Sequence, residues 1–169
     1  MRSIKLLLWV FAAAAVIFAT SCIKEPDRVD YTPEREQVII QDFIDSLIAK
    51  GNNVDTSYYG MYYVILKEGT GELIKTNDSI GVSYVGYFPE TGYVFDASEF
   101  WYSGGIWKFR YQSSYLISGF DEALSLLNKG AEGIFLVPSD MAYGATGNGA
   151  IPPYSALVFH IKIEDIYEN

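Results

Sequence analysis

The sequence predicts an α+β fold, a curved antiparallel β-sheet wrapped over one short α-helix, with an extra helix on its N-terminal side. Three observations carry this expectation. Segments 61–66, 79–88, 107–111, 134–137 and 156–166 alternate or form short apolar runs, the patterns of half-buried and buried strands. One helical period interrupts them, Phe120, Leu124 and Leu127 at i, i+4 and i+7, with Gly130 as its expected stop. A separate 3.6-residue stripe occupies 33–50. With one short helix among the strands, the sheet is expected to close over it.

From the N-terminus, Arg2 and Lys5 precede an apolar run over 6–19, followed by Ala19-Thr-Ser-Cys22. That run is short for a bilayer span and suits the core of a signal peptide over 1–21. The small residues before Cys22 resemble the bacterial lipobox, with Ala19 where leucine is usual. That resemblance implies lipidation of Cys22, palmitate included, as the first mature residue. The alternative is an ordinary secretory peptide with an incidental thiol. Cys22 is the sole cysteine, which excludes an internal disulfide and a cysteine-rich zinc site. Loss of 1–21 removes two basic residues, so the formal charge of −9 becomes −11. Ile23 is not the aspartate of an inner-membrane retention signal. Lys24-Glu25-Pro-Asp27 loosely resembles the acidic export tag of surface lipoproteins. The expected location is the cell envelope, lipid-anchored at the outer membrane, with the periplasmic or surface face left open.

Residues 22–32 are polar and proline-containing, as a short tether requires. Thr32 is an acceptable N-cap, Pro33 suits the first helical position and Gly51 supplies a stop, so 33–50 is expected to be helical. Its stripe is Ile39, Ile40, Phe43, Ile44, Leu47 and Ile48. Either the stripe packs on this chain's own sheet or paired helices form a homodimer through 33–50. A polar linker completes 33–56, and the body spans 57–169.

The body's most telling segment is Asp140-Met-Ala-Tyr143-Gly-Ala-Thr-Gly-Asn-Gly-Ala-Ile151-Pro152-Pro153. Gly144, Gly147 and Gly149 permit positive φ, and the prolines stiffen the exit. The next strand places Leu157, Phe159, Ile161 and Ile163 on one face and Val158, His160, Lys162 and Glu164 on the other. The result is a semi-rigid flap carrying a phenol and an isoleucine over the sheet edge. It holds no lysine or arginine, so it suits an apolar ligand better than a phosphate.

This flap is similar to that of the FKBP-type peptidyl-prolyl isomerases. Other pieces occur in that family's order. Val82-Ser-Tyr84-Val-Gly86 resembles the strand with the pocket tyrosine, and Gly92-Tyr-Val-Phe95-Asp96-Ala-Ser98 resembles the Phe-Asp-Ser-Ser turn. Trp107-Lys-Phe109 and Tyr115-Leu116-Ile117-Ser-Gly119-Phe120-Asp-Glu122 resemble the strand and helix start that build the pocket. Gly130 followed by Ile134-Phe-Leu-Val137-Pro138 resembles the strand leading into the flap. Together they cover roughly residues 57–169.

The composition agrees. A body of about 110 residues buries roughly two-thirds of its unfolded surface, enough for a core without disulfides or metals. At 50% hydrophobic and 16% aromatic residues the chain is not compositionally disordered. Its acidity argues against nucleic acid as a partner. His160 is the sole histidine and has no adjacent serine or cysteine, so it is expected to be an outward strand residue. No histidine cluster or paired carboxylate suggests a metal. Gly69-Thr-Gly71 lacks the rest of a phosphate-loop pattern and reads as a turn between strands.

The resemblance implies a peptidyl-prolyl cis-trans isomerase that needs no cofactor and acts on proline-containing polypeptides, assisting the folding of exported proteins. The alternative is a catalytically weak module or chaperone that holds such partners. Tyr84, Asp96 and Tyr143 would be the catalytic residues, with Asp96 facing the twisting amide or fixing the Tyr84 hydroxyl. Phe95, Trp107, Leu116, Ile117, Phe120, Ile151 and Phe159 would line the slot. Phe120 stands on the floor where tryptophan is common, and Trp107 where phenylalanine is usual. Asn148 occupies a flap position where some relatives have histidine.

Overall fold

The computed structural model describes residues 29–113 and 115–167; Cys22 and the segment that resembles a lipobox lie outside them. Helix α1, Pro33–Ala49, starts as its sequence requires: the Thr32 hydroxyl accepts the Arg35 N–H at 3.2 Å, and Pro33 opens the first turn. Gly51 follows at φ +85.

The strands are β1 (Asp55–Thr56), β2 (Tyr62–Lys67), β3 (Thr70–Leu73), β4 (Ser79–Tyr87), β5 (Val94–Ala97), β6 (Trp107–Arg110), β7 (Asn128–Lys129), β8 (Glu132–Val137) and β9 (Leu157–Tyr167). The main sheet runs β1-β2-β8-β9-β4-β5, with β6 also paired to β4, and every pairing in it is antiparallel. Register shifts at Ile65/Lys67, Gly81/Val82 and Gly86/Tyr87 bend the sheet as bulges do. Helix α3, Ser118–Ser125, packs on one face, where its Phe120 and Leu124, with Leu127 just beyond its end, share a core with Phe135, Leu157, Phe159, Ile161 and Ile163.

The opposite face is covered by α1. The cross-strand row Tyr62, Leu136, Val158 and Tyr87 lies beneath Ile40, Phe43 and Ile44. Val158, expected on the outward face with His160, is therefore fully buried. Each fully buried aliphatic side chain contributes roughly 1.5–3 kcal/mol, so this packing rather than any polar contact docks the helix. Ile48 departs from the expected stripe: it sits one turn beyond the covered row and is 54% exposed.

Other differences are local. Gly130 does not stop α3, which ends at Ser125; its φ of +79 serves the turn between β7 and β8. The segment expected as a turn at Gly69-Thr-Gly71 continues into β3, which pairs with β7 in a two-stranded sheet. Asp55 and Thr56, expected in the linker, pair with Tyr63 and Tyr62. A one-turn helix, α2 (Ser98–Trp101), comes directly after β5 and is too short to carry a period.

Candidate active site

The site forms where β4, β5, β6, β9, the start of α3 and the flap converge. Register builds its back wall, with Phe135 opposite Phe159, Phe159 opposite Gly86, and Gly86 opposite Asp96. Gly86 is required by the two rings around it. A Cβ there would lie 2.8 Å from the Phe95 ring and 3.0 Å from that of Phe159. Tyr84 and Phe120 meet edge-on at 5.4 Å between ring centroids, Phe120 and Phe159 at 5.2 Å, and Phe95 and Phe159 at 5.8 Å. Such arrangements suit the ring quadrupoles and hold the walls rigid. Trp107 is wedged between Tyr102 and Phe109, whose centroids lie 5.8 and 4.1 Å away.

Together these rings bound a cleft of about 430 Å³. Tyr84, Phe95, Asp96, Trp107, Leu116, Ile117, Phe120, Tyr143 and Phe159 line it, as do Tyr115 and Asn148. Ile151 does not. Its backbone pairs with Asn148 in both directions at 2.8 and 2.9 Å, and its side chain, 8% exposed, belongs to the same core cluster as Phe120 and Phe159.

Only a few polar groups enter the cleft. The Tyr84 hydroxyl donates to Asp96 Oδ2 at 2.8 Å, a contact that fixes the phenol. The other carboxylate oxygen accepts the Trp101 indole N–H at 2.7 Å. Buried Ser98 clasps the Tyr84 backbone from the same turn, its hydroxyl oxygen 3.0 Å from the Tyr84 N–H. Burial, then the hydrogen bond to Asp96, pushes the Tyr84 hydroxyl far above the ordinary tyrosine range. It stays protonated and donating at any physiological pH.

Tyr143 projects from the flap stem, and the stem is held at both ends. Ser118 Oγ donates to the Met141 carbonyl at 3.1 Å, and Gly147 N–H donates to the Tyr143 carbonyl at 3.2 Å. Gly144, Gly147 and Gly149 all adopt positive φ. His160 stands outside this constellation, on the other side of β9, with its Nε2 2.7 Å from Glu132 Oε1. Trp101 was not legible as a site residue, because nothing in its spacing from Asp96 signals a one-turn helix that folds its indole back. Tyr115 lies within a recognisable motif that assigns it no role.

Comparison with known proteins bears directly on this cleft. Residues 70–164 match the family described as FKBP-type peptidyl-prolyl cis-trans isomerase. A probable FKBP-type isomerase of Haemophilus influenzae is 37% identical over 119 residues, covering 70% of this chain and 47% of that protein. The FKBP-type isomerase FkpA of Escherichia coli K12 is 35% identical over 118 residues, covering 70% and 42% respectively. The match thus spans less than half the length of these curated relatives. A crystal structure of a peptidyl-prolyl cis-trans isomerase from Pseudomonas syringae superimposes with a TM-score of 0.65 at 32% identity, covering 83% of this chain and all of that one. The cleft lies within the matched residues, and the chain belongs to the FKBP-type peptidyl-prolyl cis-trans isomerase family.

Proposed function

We propose that the chain catalyses rotation about X–Pro peptide bonds in exported polypeptides, held at the cell envelope by a lipid on Cys22. The observation that carries this reading is the aromatic cleft with Tyr84 and Asp96 bonded on one wall and Tyr143 on the flap. The barrier to rotation, about 18–20 kcal/mol, is amide resonance lost as the bond twists. A twisted amide has a less dipolar carbonyl than a planar one. A dry, ring-lined cleft therefore opposes the twisted form less than water does, and this is differential binding of the transition state.

The Tyr143 hydroxyl and the Ile117 N–H are the donors assigned to the peptide carbonyls. Ile117 is the N-cap of α3, and its own carbonyl already accepts the Phe120 and Asp121 N–H groups. Asp96, with both oxygens occupied, acts by orienting Tyr84 rather than by proton transfer. Phe95, Trp107, Leu116, Phe120 and Phe159 supply the proline-sized slot.

A protease-free assay on an Ala-Leu-Pro-Phe-type peptide tests this. The expected result is accelerated cis–trans exchange that saturates with peptide. Saturable binding without acceleration establishes instead the second reading, a module that holds proline-containing partners. Phe120 favours that reading, since it brings no hydrogen-bond donor to the floor. Pairing of two copies through α1 would have to use Val38 and Ile48, 60% and 54% exposed, because most of the stripe packs on the chain's own sheet.

A further inference from the structure

We infer that Glu36 of α1 is a positioning residue for the active site, fixing the stem of the flap that carries Tyr143. Glu36 is 5% exposed, in a helix that lies outside the family-matched residues 70–164. Both of its carboxylate oxygens are taken by one distant residue. The Ser139 N–H donates to Oε1 at 2.6 Å and the Ser139 hydroxyl to Oε2 at 2.7 Å. Burying a carboxylate is unfavourable unless it is fully hydrogen-bonded, and bonds to a charged acceptor are short and strong. The pair therefore dictates where the Ser139 backbone sits.

That position matters because Ser139 begins the flap stem. Ser139 is itself buried and opens the 3₁₀ turn Ser139–Met141. Ser118 clamps the far end of this turn through the Met141 carbonyl, and Ser118 is the immediate neighbour of the cleft residue Ile117. Ala142, with φ −126 and ψ −107, then leads into Tyr143. Only three residues separate Ser139 from Tyr143, and a turn clamped at both ends transmits a shift of the first to the second. Apolar packing holds α1 on the sheet, and the Glu36 carboxylate converts that docking into a fixed flap stem.

The catalytic consequence rests on the isomerase reading above; the structural coupling does not, and the test separates them. Glu36→Ala, Glu36→Gln and Ser139→Ala are made in the full chain. Each is assessed by amide hydrogen exchange and by kinetics on the Ala-Leu-Pro-Phe peptide. Glu36→Ala leaves the Ser139 N–H without its acceptor, so exchange at 139–147 accelerates while β9 amides at 157–163 hold. KM rises about fivefold, with kcat changed by no more than about twofold.

Glutamine restores both to within about twofold of wild type, because its amide oxygen still accepts the N–H and its NH₂ can donate to Ser139 Oγ. Ser139→Ala, which keeps the N–H bond, gives the same local exchange pattern at smaller amplitude and decides the matter if Glu36→Ala fails to fold. Exchange that rises uniformly over the sheet, or not at all at 139–147, overturns the inference. So does a glutamine variant as impaired as alanine. A wild type without activity sinks the isomerase reading alone, since the exchange pattern still reports the coupling.

Discussion

Tyr84 and Tyr143 are both phenols in one cleft, yet the structure holds them differently. Tyr143 sits on the flap, so removing its hydroxyl should cost binding of the peptide carbonyl and little else. Tyr143→Phe is expected to lower kcat/KM several-fold, in line with a net hydrogen bond of about 1 kcal/mol, at unchanged melting temperature. An unchanged kcat/KM would remove the hydroxyl from the mechanism. Tyr84 is instead tied into the wall, and its test is stability against pH. Its pKa is raised in the folded state, first by burial and then by Asp96. The stabilisation it brings is therefore fully present below the ordinary tyrosine pKa of about 10 and is lost as pH rises beyond it. Wild type should exceed Tyr84→Phe by about 1 kcal/mol at neutral pH, and the gap should narrow above pH 10 in denaturant titrations. A constant gap up to pH 11 would contradict the assignment.

Among the elements, the flap makes the sharpest demand on sequence. At Gly147, φ is +66 and an added Cβ would lie 2.2 Å from the Ile151 carbonyl oxygen and 2.7 Å from the Pro152 carbonyl carbon. Backbone on both sides cannot yield as a side chain could. Gly147→Ala should thus distort the flap, costing at least about 1–3 kcal/mol and most of kcat/KM. Gly149→Ala is the control: φ is +55 but nothing lies within 4 Å of the added carbon, so only backbone strain of about 1–2 kcal/mol applies. Equal effects on melting temperature and on kcat/KM at the two positions would refute the close-approach argument. The glycines and prolines of this element were legible because each is a local backbone requirement. The Asn148–Ile151 pairing was not, since it depends on how the loop closes.

For the molecule as a whole, the proposal that Cys22 carries a lipid anchor is the one that bears on where it works. Cys22→Ala is expected to release the chain from the membrane fraction or to block its processing, read by fractionation and lipid labelling; normal attachment and labelling would end the anchor proposal. The sequence by itself determined the α+β class, the boundaries of α1, and nearly all of the rings that meet in the cleft. The class and the helix rest on local rules, a period of two or of 3.6 and a cap, whereas the rings were read from the resemblance of their motifs to the family's. Tertiary structure decided what covers the sheet's second face, why Val158 is buried, and that Trp101 and Ser98 orient Asp96 and Tyr84. It also decided that Glu36, one acidic residue among several in α1, lies against Ser139. A partner 103 positions away leaves no trace in spacing, because the contact exists only once helix and sheet are packed and its energy belongs to neither segment alone.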